Sequence, residues 1–188
     1  MSTIARLSLE QYERMIEAGV FDSTKPEHIE LIHGELREMT PMGSAHQLAL
    51  NVLDNDWTRK LSMPEGVWVQ TQAPITLSNQ RSMPEPDMVW IAKQDLSKPR
   101  PDAADVFLLI EISESSLVYD RGEKADLYAA AGIKDYWIVN LPDKCVEVRR
   151  EPRDGRYQSV ESFSRGAEIA PLAFPKLALP VALLFGEK

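Results

Sequence analysis

Glu111 ends the most apolar run of the chain, Val106-Phe107-Leu108-Leu109-Ile110, which carries no polar side chain. A carboxylate there is costly to bury unless a cation, a metal or several donors meet it. A second carboxylate, Asp87, opens another apolar run, Asp87-Met88-Val89-Trp90-Ile91-Ala92, directly after Pro86. Alone, Pro-Asp is a common turn pair, so Asp87 draws its interest from Glu111. Lys124 completes the set, sharing a helical stripe with Leu127, Tyr128 and Ala131 at offsets of three, four and seven. A lysine on an apolar face either runs its ammonium out to solvent or reaches a carboxylate. The helix that carries Lys124 begins just after the Glu111 strand, which favours the second course.

Two carboxylates and a lysine are the groups that metal-assisted phosphodiester hydrolysis needs. The carboxylates hold Mg²⁺, or Mn²⁺ in its place, through hard oxygen atoms. The metal polarises the scissile phosphate and acidifies the attacking water. The lysine orients or deprotonates the nucleophile, or stabilises charge on the phosphate. The backbone carbonyl of Ile112, one residue beyond Glu111, is a natural further ligand. His46, near the start of a helix, is a candidate to touch substrate or the Glu35 carboxylate, with a first-turn surface histidine as the plainer account. Ser113 and Ser115 are candidates to support the Glu111 loop, and Tyr128 to hydrogen-bond within the site.

These residues need an α/β framework to hold them. Ser8-Leu9-Glu10-Gln11 has the form of a capping box, and Leu9, Tyr12 and Ile16 follow at helical spacing up to Gly19. Residues 29–36 read as strand with a kink or tight turn at Gly34. From Ser44 to about Leu61 the apolar positions Ala45, Leu48, Ala49, Val52, Leu53 and Trp57 mark an amphipathic helix. Val67 to Leu77 reads as a strand with Pro74 inside it, which implies a bend or an edge position. The Asp87–Ala92, Val106–Ile110 and Tyr136–Val139 runs are strands, the second covered on both faces. A helix from about Asp120 to Ala131, closed by Gly132, joins the last two as a parallel crossover. Lys144 to Arg150 and Arg156 to Phe163 read as a hairpin turning at Asp154-Gly155. Length and the absence of a linker fit one domain over residues 1–188.

Composition narrows the partners. One cysteine, Cys145, excludes an intrachain disulfide, and three histidines without a Cys-x-x-Cys argue against zinc. No apolar stretch is long enough for a signal sequence or a membrane span, so a cytoplasmic protein without a membrane partner is expected. The formal net charge of −8 weighs against tight non-specific binding to DNA. It leaves room for a nuclease, since carboxylates that hold metal make such a site negative. Of Trp57, Trp68, Trp90 and Trp137, three sit in apolar patterns and read as core rather than base-stacking platforms. The basic residues from Lys144 to Arg156 offer a phosphate-contacting edge, with a solvated mixed-charge hairpin as the plainer account.

Pro86-Asp87, Glu111-Ile112-Ser113 and Lys124, in that order, resemble the PD-(D/E)xK nuclease superfamily. More closely, the chain resembles the Uma2 family, domain of unknown function 820. The resemblance rests on Glu30-Leu31-Ile32-His33-Gly34-Glu35, on Glu85-Pro86-Asp87 and on the stretch Leu109 to Ser116. Asp120 to Tyr128 and Gly132 to Val139 continue it, so it spans nearly the whole chain. It implies a restriction-endonuclease-like core, a mixed β-sheet flanked by helices, and an Mg²⁺-dependent endonuclease acting on DNA. The superfamily's usual lysine position, two residues after the glutamate, is Ser113 here, and the resemblance makes Lys124 its replacement from the following helix. It also implies Glu35 as a further acidic site residue, with Glu30 more weakly supported. Cutting both strands of a duplex is easiest with two sites, which makes a homodimer an expectation. Two rivals stay open: a non-catalytic binding module on the same fold, and a metal-dependent hydrolase of RNA or nucleotides.

Overall fold

The apolar runs at 88–92, 106–113 and 135–140 lie side by side in a six-stranded sheet. The computed structural model describes residues 4–21, 28–39, 41–61, 64–93 and 100–186. Helix α1 is Leu9–Glu17, opened by the Ser8–Gln11 capping box that the sequence announces. Strands β1 (His28–Ile32) and β2 (Glu35–Met39) then form an antiparallel pair turning at His33-Gly34. Helix α2 (Ser44–Asn51) runs on through a wide π turn at Val52–Trp57 and a tight turn at Thr58–Lys60.

The large sheet has the order β3-β4-β5-β6-β7-β8. Its strands are Val67–Thr71, Met88–Ala92, Val106–Ser113, Asp135–Asn140, Cys145–Arg153 and Arg156–Ser164. Only β5 and β6 pair in parallel. The crossover between them is helical throughout: α3 (Leu117–Tyr119), a π turn at Asp120–Lys124, and α4 (Ala125–Ala131). The fold is therefore the mixed α/β sheet with one parallel crossover that the apolar runs imply.

The extended segment from Val67 proves shorter than the sequence reading. It pairs only to Thr71, on an edge, and residues beyond it pass into loop before Pro74, which has no N–H to give a ladder. The Glu111 strand proves longer, ending at Ser113, so Glu111 lies inside it. The 154–155 turn has positive φ at both residues, 52° and 73°, which suits a two-residue hairpin.

Strand alternation divides the core into two layers. Leu108, Ile110 and Ile112 join Met88, Trp90 and residues of α2 on one face. There Trp57 stacks on Trp90 and Trp137, at centroid separations of 4.9 and 5.8 Å. Leu109, Val89 and Ile91 face Leu127 and Tyr128 of α4 on the other. Glu111 and Ser113 share the parity of Leu109, so they point toward the crossover helix. The ladder between β4 and β5 begins at Met88 and Ile110, and just beyond it the Asp87 side chain accepts the Ile112 N–H, next to Glu111. Short strands β9 (Glu168–Ile169) and β10 (Leu179–Pro180) pair near the C-terminus. No helix among the described residues is long and apolar enough to cross a membrane.

Candidate functional site

The parity of β5 aims Glu111 at the crossover helix, and the helix answers with Lys124. The π turn brings Asp120 and Lys124, four residues apart, to face the sheet with 2 % and 0 % exposure. Lys124 Nζ donates to Glu111 Oε1 at 2.9 Å and to Glu30 Oε1 at 3.1 Å. Tyr128, one helical turn on, donates its hydroxyl to the same Glu111 Oε1 at 2.6 Å. Both donors thus meet one oxygen of Glu111. Among the described residues nothing donates to Oε2, and Glu111 lines a cleft.

Asp87 is held from two sides. Its Oδ2 accepts the backbone N–H of Ile112 at 2.7 Å, and its Oδ1 lies 2.8 Å from His46 Nε2. In an extended strand the N–H and C=O of one residue point to the same edge, so the Ile112 carbonyl faces the Asp87 side. His46 comes from the first turn of α2 and is mostly buried, like Asp87, at 12 % side-chain exposure. The cleft above these groups has a volume of about 690 Å³, and Asp87, Glu111, Ile112 and His46 all line it.

Charge in the site is unbalanced. Burial pushes the Glu111 carboxyl up, to about 8; Lys124 works against this, while Asp87, Asp120 and Glu30 add to it. Burial alone would lower the Lys124 ammonium, but Glu111, Glu30 and Asp120 outweigh it and raise its pKa well above the usual lysine value. The two upward shifts are compatible, because Glu30 and Asp120 keep Lys124 charged even when Glu111 holds a proton. Burial, followed by the neighbouring Glu111 and Glu30, also raises Tyr128, which therefore remains a donor. One buried ammonium among several carboxyls leaves net negative charge, relieved by a proton on Glu111 or by an added cation.

The donor set fits a hard cation. Asp87 and Glu111 offer carboxylate oxygens, and Glu111 Oε2 is unclaimed on the cleft side. No group of three or more His, Cys, Asp or Glu able to hold a metal occurs among the described residues. A cation held by Asp87, Glu111 and the Ile112 carbonyl would take its other positions from water or substrate.

The remaining residues singled out from sequence fall as follows. Ser113 is fully buried and donates to Asp120 Oδ2 at 2.6 Å, tying the end of β5 to the π turn rather than touching Glu111. Ser116 donates to the same oxygen, and Ser115 lines the cleft. Glu35 is not brought to the Glu111 cluster. It sits two cross-strand pairs nearer the turn than Glu30, with its carboxylate on Arg6 at 3.2 Å and Arg37 at 3.0 Å. The acid that does arrive from this hairpin is Glu30, with 0 % exposure; its Oε1 also accepts the Glu85 N–H at 2.7 Å, and its Oε2 is buried without a partner.

Sequence reasoning underrated Glu30 and missed Asp120 and Arg37. Glu30 carried a readable signal, an acid inside the apolar run Ile29-Glu30-Leu31-Ile32, the same pattern that marked Glu111. Asp120 has no such signal, since a residue at a helix start is ordinarily solvated. Of the tryptophans, Trp57, Trp90 and Trp137 are core, while Trp68 on edge strand β3 is 38 % exposed. The 145–164 hairpin spends Arg149 on Glu147 and Arg150 on Asp135.

Comparison with protein families gives a match over residues 9–182 to the family described as "Uma2: Putative restriction endonuclease". Among solved structures, one from Anabaena variabilis ATCC 29413, described as "a putative nuclease belonging to DUF820", superposes with a TM-score of 0.72. The alignment covers 96 % of this chain and 98 % of that one at 15 % identity, a likeness of fold. A comparison with curated proteins finds no match.

Proposed function

Because the chain belongs to the Uma2 family, we propose that it is a nuclease that hydrolyses phosphodiester bonds of DNA with Mg²⁺, or Mn²⁺ in its place. The observation that carries this reading is the pair Asp87 and Glu111, both lining one cleft and joined through the Ile112 N–H, with nothing among the described residues donating to Glu111 Oε2. Asp87, Glu111 and the Ile112 carbonyl would hold the cation. When bound, the cation supplies neutralisation of the scissile phosphate and acidification of the attacking water.

The chain's own groups do the positioning. Lys124 and Tyr128 fix one oxygen of Glu111, and among the described residues nothing donates to the other. His46 and the Ile112 N–H fix Asp87. Accepting a proton from water would need a neutral amine at Lys124, and its carboxyl neighbours hold that amine protonated. Lys124 therefore serves by charge, acting through Glu111. Water adds to phosphorus as the opposite P–O bond breaks, and the products are a phosphate end and a hydroxyl end.

The test is incubation of purified protein with single-stranded DNA, duplex DNA and RNA, each with Mg²⁺, Mn²⁺ or EDTA. Metal-dependent cutting of DNA is expected, falling by about two orders of magnitude or more in Asp87→Asn and in Glu111→Gln. Cutting that survives both substitutions unchanged would remove the assignment. The acidic lining of the cleft favours one second reading, a binding module without hydrolysis. That reading predicts no cutting of any substrate and no change in melting temperature on adding Mg²⁺.

A further inference from the structure

Arg37 is the one lysine or arginine lining the cleft among the described residues, against seven carboxylates. It stands on β2 directly opposite Glu30 and is half-exposed. Its Nη2 donates to Glu123 Oε1 at 3.1 Å and lies 3.0 Å from Glu35 Oε2. Among the described residues its Nε and Nη1 donate to nothing; each bidentate edge of the fork includes Nη2, so letting go of Glu123 would open one. Lys124, beneath the cleft, is spent on Glu30 and Glu111. A phosphodiester anion entering this cleft therefore meets one fixed, accessible guanidinium.

We propose that Arg37 is the phosphate clamp of the site, releasing Glu123 to grip a phosphate next to the scissile one on a single DNA strand. This rests on the nuclease reading and names the form of its substrate. The exchange is inexpensive, because the Arg37–Glu123 and Arg37–Glu35 pairs are partly solvated, and such pairs contribute little. A guanidinium gains a bidentate, charge-assisted contact when a phosphate replaces a carboxylate oxygen. Met39, Pro41 and Met42 continue the same wall and give a base an apolar surface. The cleft, at about 690 Å³, is of the size that encloses a small ligand, roughly one or two nucleotides. A duplex held in a groove makes about 6–10 phosphate contacts, and this cleft supplies a cation for one.

The test is fluorescence anisotropy of a short labelled oligothymidylate, titrated with the protein in Ca²⁺ at several KCl concentrations. The log–log salt slope should be near −0.7, the value for about one phosphate on a single strand. Arg37→Ala should weaken binding by about tenfold and take the slope close to zero. Arg37→Lys keeps the charge and should keep the slope, while losing part of the affinity through the lost fork. Glu123→Gln should tighten binding by freeing Arg37. Melting curves establish that each variant is folded. Unchanged affinity and slope in Arg37→Ala would overturn the clamp, as would no binding by the unaltered protein, or a slope of several phosphates with preference for duplex. Arg37-dependent binding without cutting in Mg²⁺ or Mn²⁺ would keep the clamp and defeat hydrolysis. Cutting that ignores Arg37 would do the reverse.

Discussion

At the scale of single residues the site is a contest between protons and cations for Glu111. Its carboxyl is raised from 4.5 to about 8, chiefly by burial. Between those values the folded chain holds a proton that the unfolded chain has released, so stability falls as pH rises across that window. Lys124 does not offset this, because its raised pKa acts only above the ordinary lysine range. Melting in EDTA should thus give a midpoint that declines from about pH 5 to about pH 8, and the decline should vanish in Glu111→Gln. Divalent-cation affinity should rise over the same interval, because the cation displaces that proton. Calorimetric titration with Mg²⁺ at several pH values reads it directly. Removing the ammonium is a harsher change. Lys124→Met strands Glu30 and Glu111 without a counter-charge, at a cost of about 3–5 kcal/mol in urea denaturation, and cutting should be lost with the position of Glu111.

At the scale of elements, positioning depends on two devices, the β1–β2 hairpin and the π turn before α4. Gly34 fixes the hairpin. It has φ +78°, and a Cβ there would lie 2.8 Å from the Leu7 carbonyl oxygen and 2.9 Å from Arg6 Cβ. Its N–H also donates to the Arg81 carbonyl, and its own carbonyl accepts from the Leu7 N–H. Gly34→Ala should cost about 1–3 kcal/mol and shift Glu30 from Lys124, giving a lower melting temperature together with reduced cutting. The strands and the crossover were legible because apolar runs of strand length declare themselves, and a polar residue inside one demands a partner. Glu111 was legible as a charge at the end of such a run, Asp87 only by its place relative to Glu111, and Lys124 through its helical stripe together with the family resemblance. Glu30 was underrated because the hairpin offered two acids, and register decides between them. Cross-strand pairing places Glu30 opposite Arg37 and leaves Glu35 beside the turn. The π turns were not legible, since their i→i+5 bonds leave the apolar spacing close to that of an ordinary helix.

At the scale of the whole molecule, the formal net charge of −8 and a cleft lined by acids set the terms for any nucleic-acid substrate. A net charge of this sign gives no long-range attraction, so on the proposed reading binding would rest on local cations, Arg37 and a bound metal. Added Mg²⁺ should stabilise the protein by about 2.7 kcal/mol at a hundred times its dissociation constant, and Asp87→Asn should remove that gain in thermal melts. The proposed function turns on one claim, that Asp87 and Glu111 would hold a divalent cation in the cleft. Diffraction from crystals grown with Mn²⁺, collected at a wavelength where manganese scatters anomalously, tests it most directly. The account predicts an anomalous peak bridging Asp87, Glu111 Oε2 and the Ile112 carbonyl oxygen. A cleft floor without manganese, in crystals where Asp87 stays bound to His46 and Glu111 to Lys124, would contradict it.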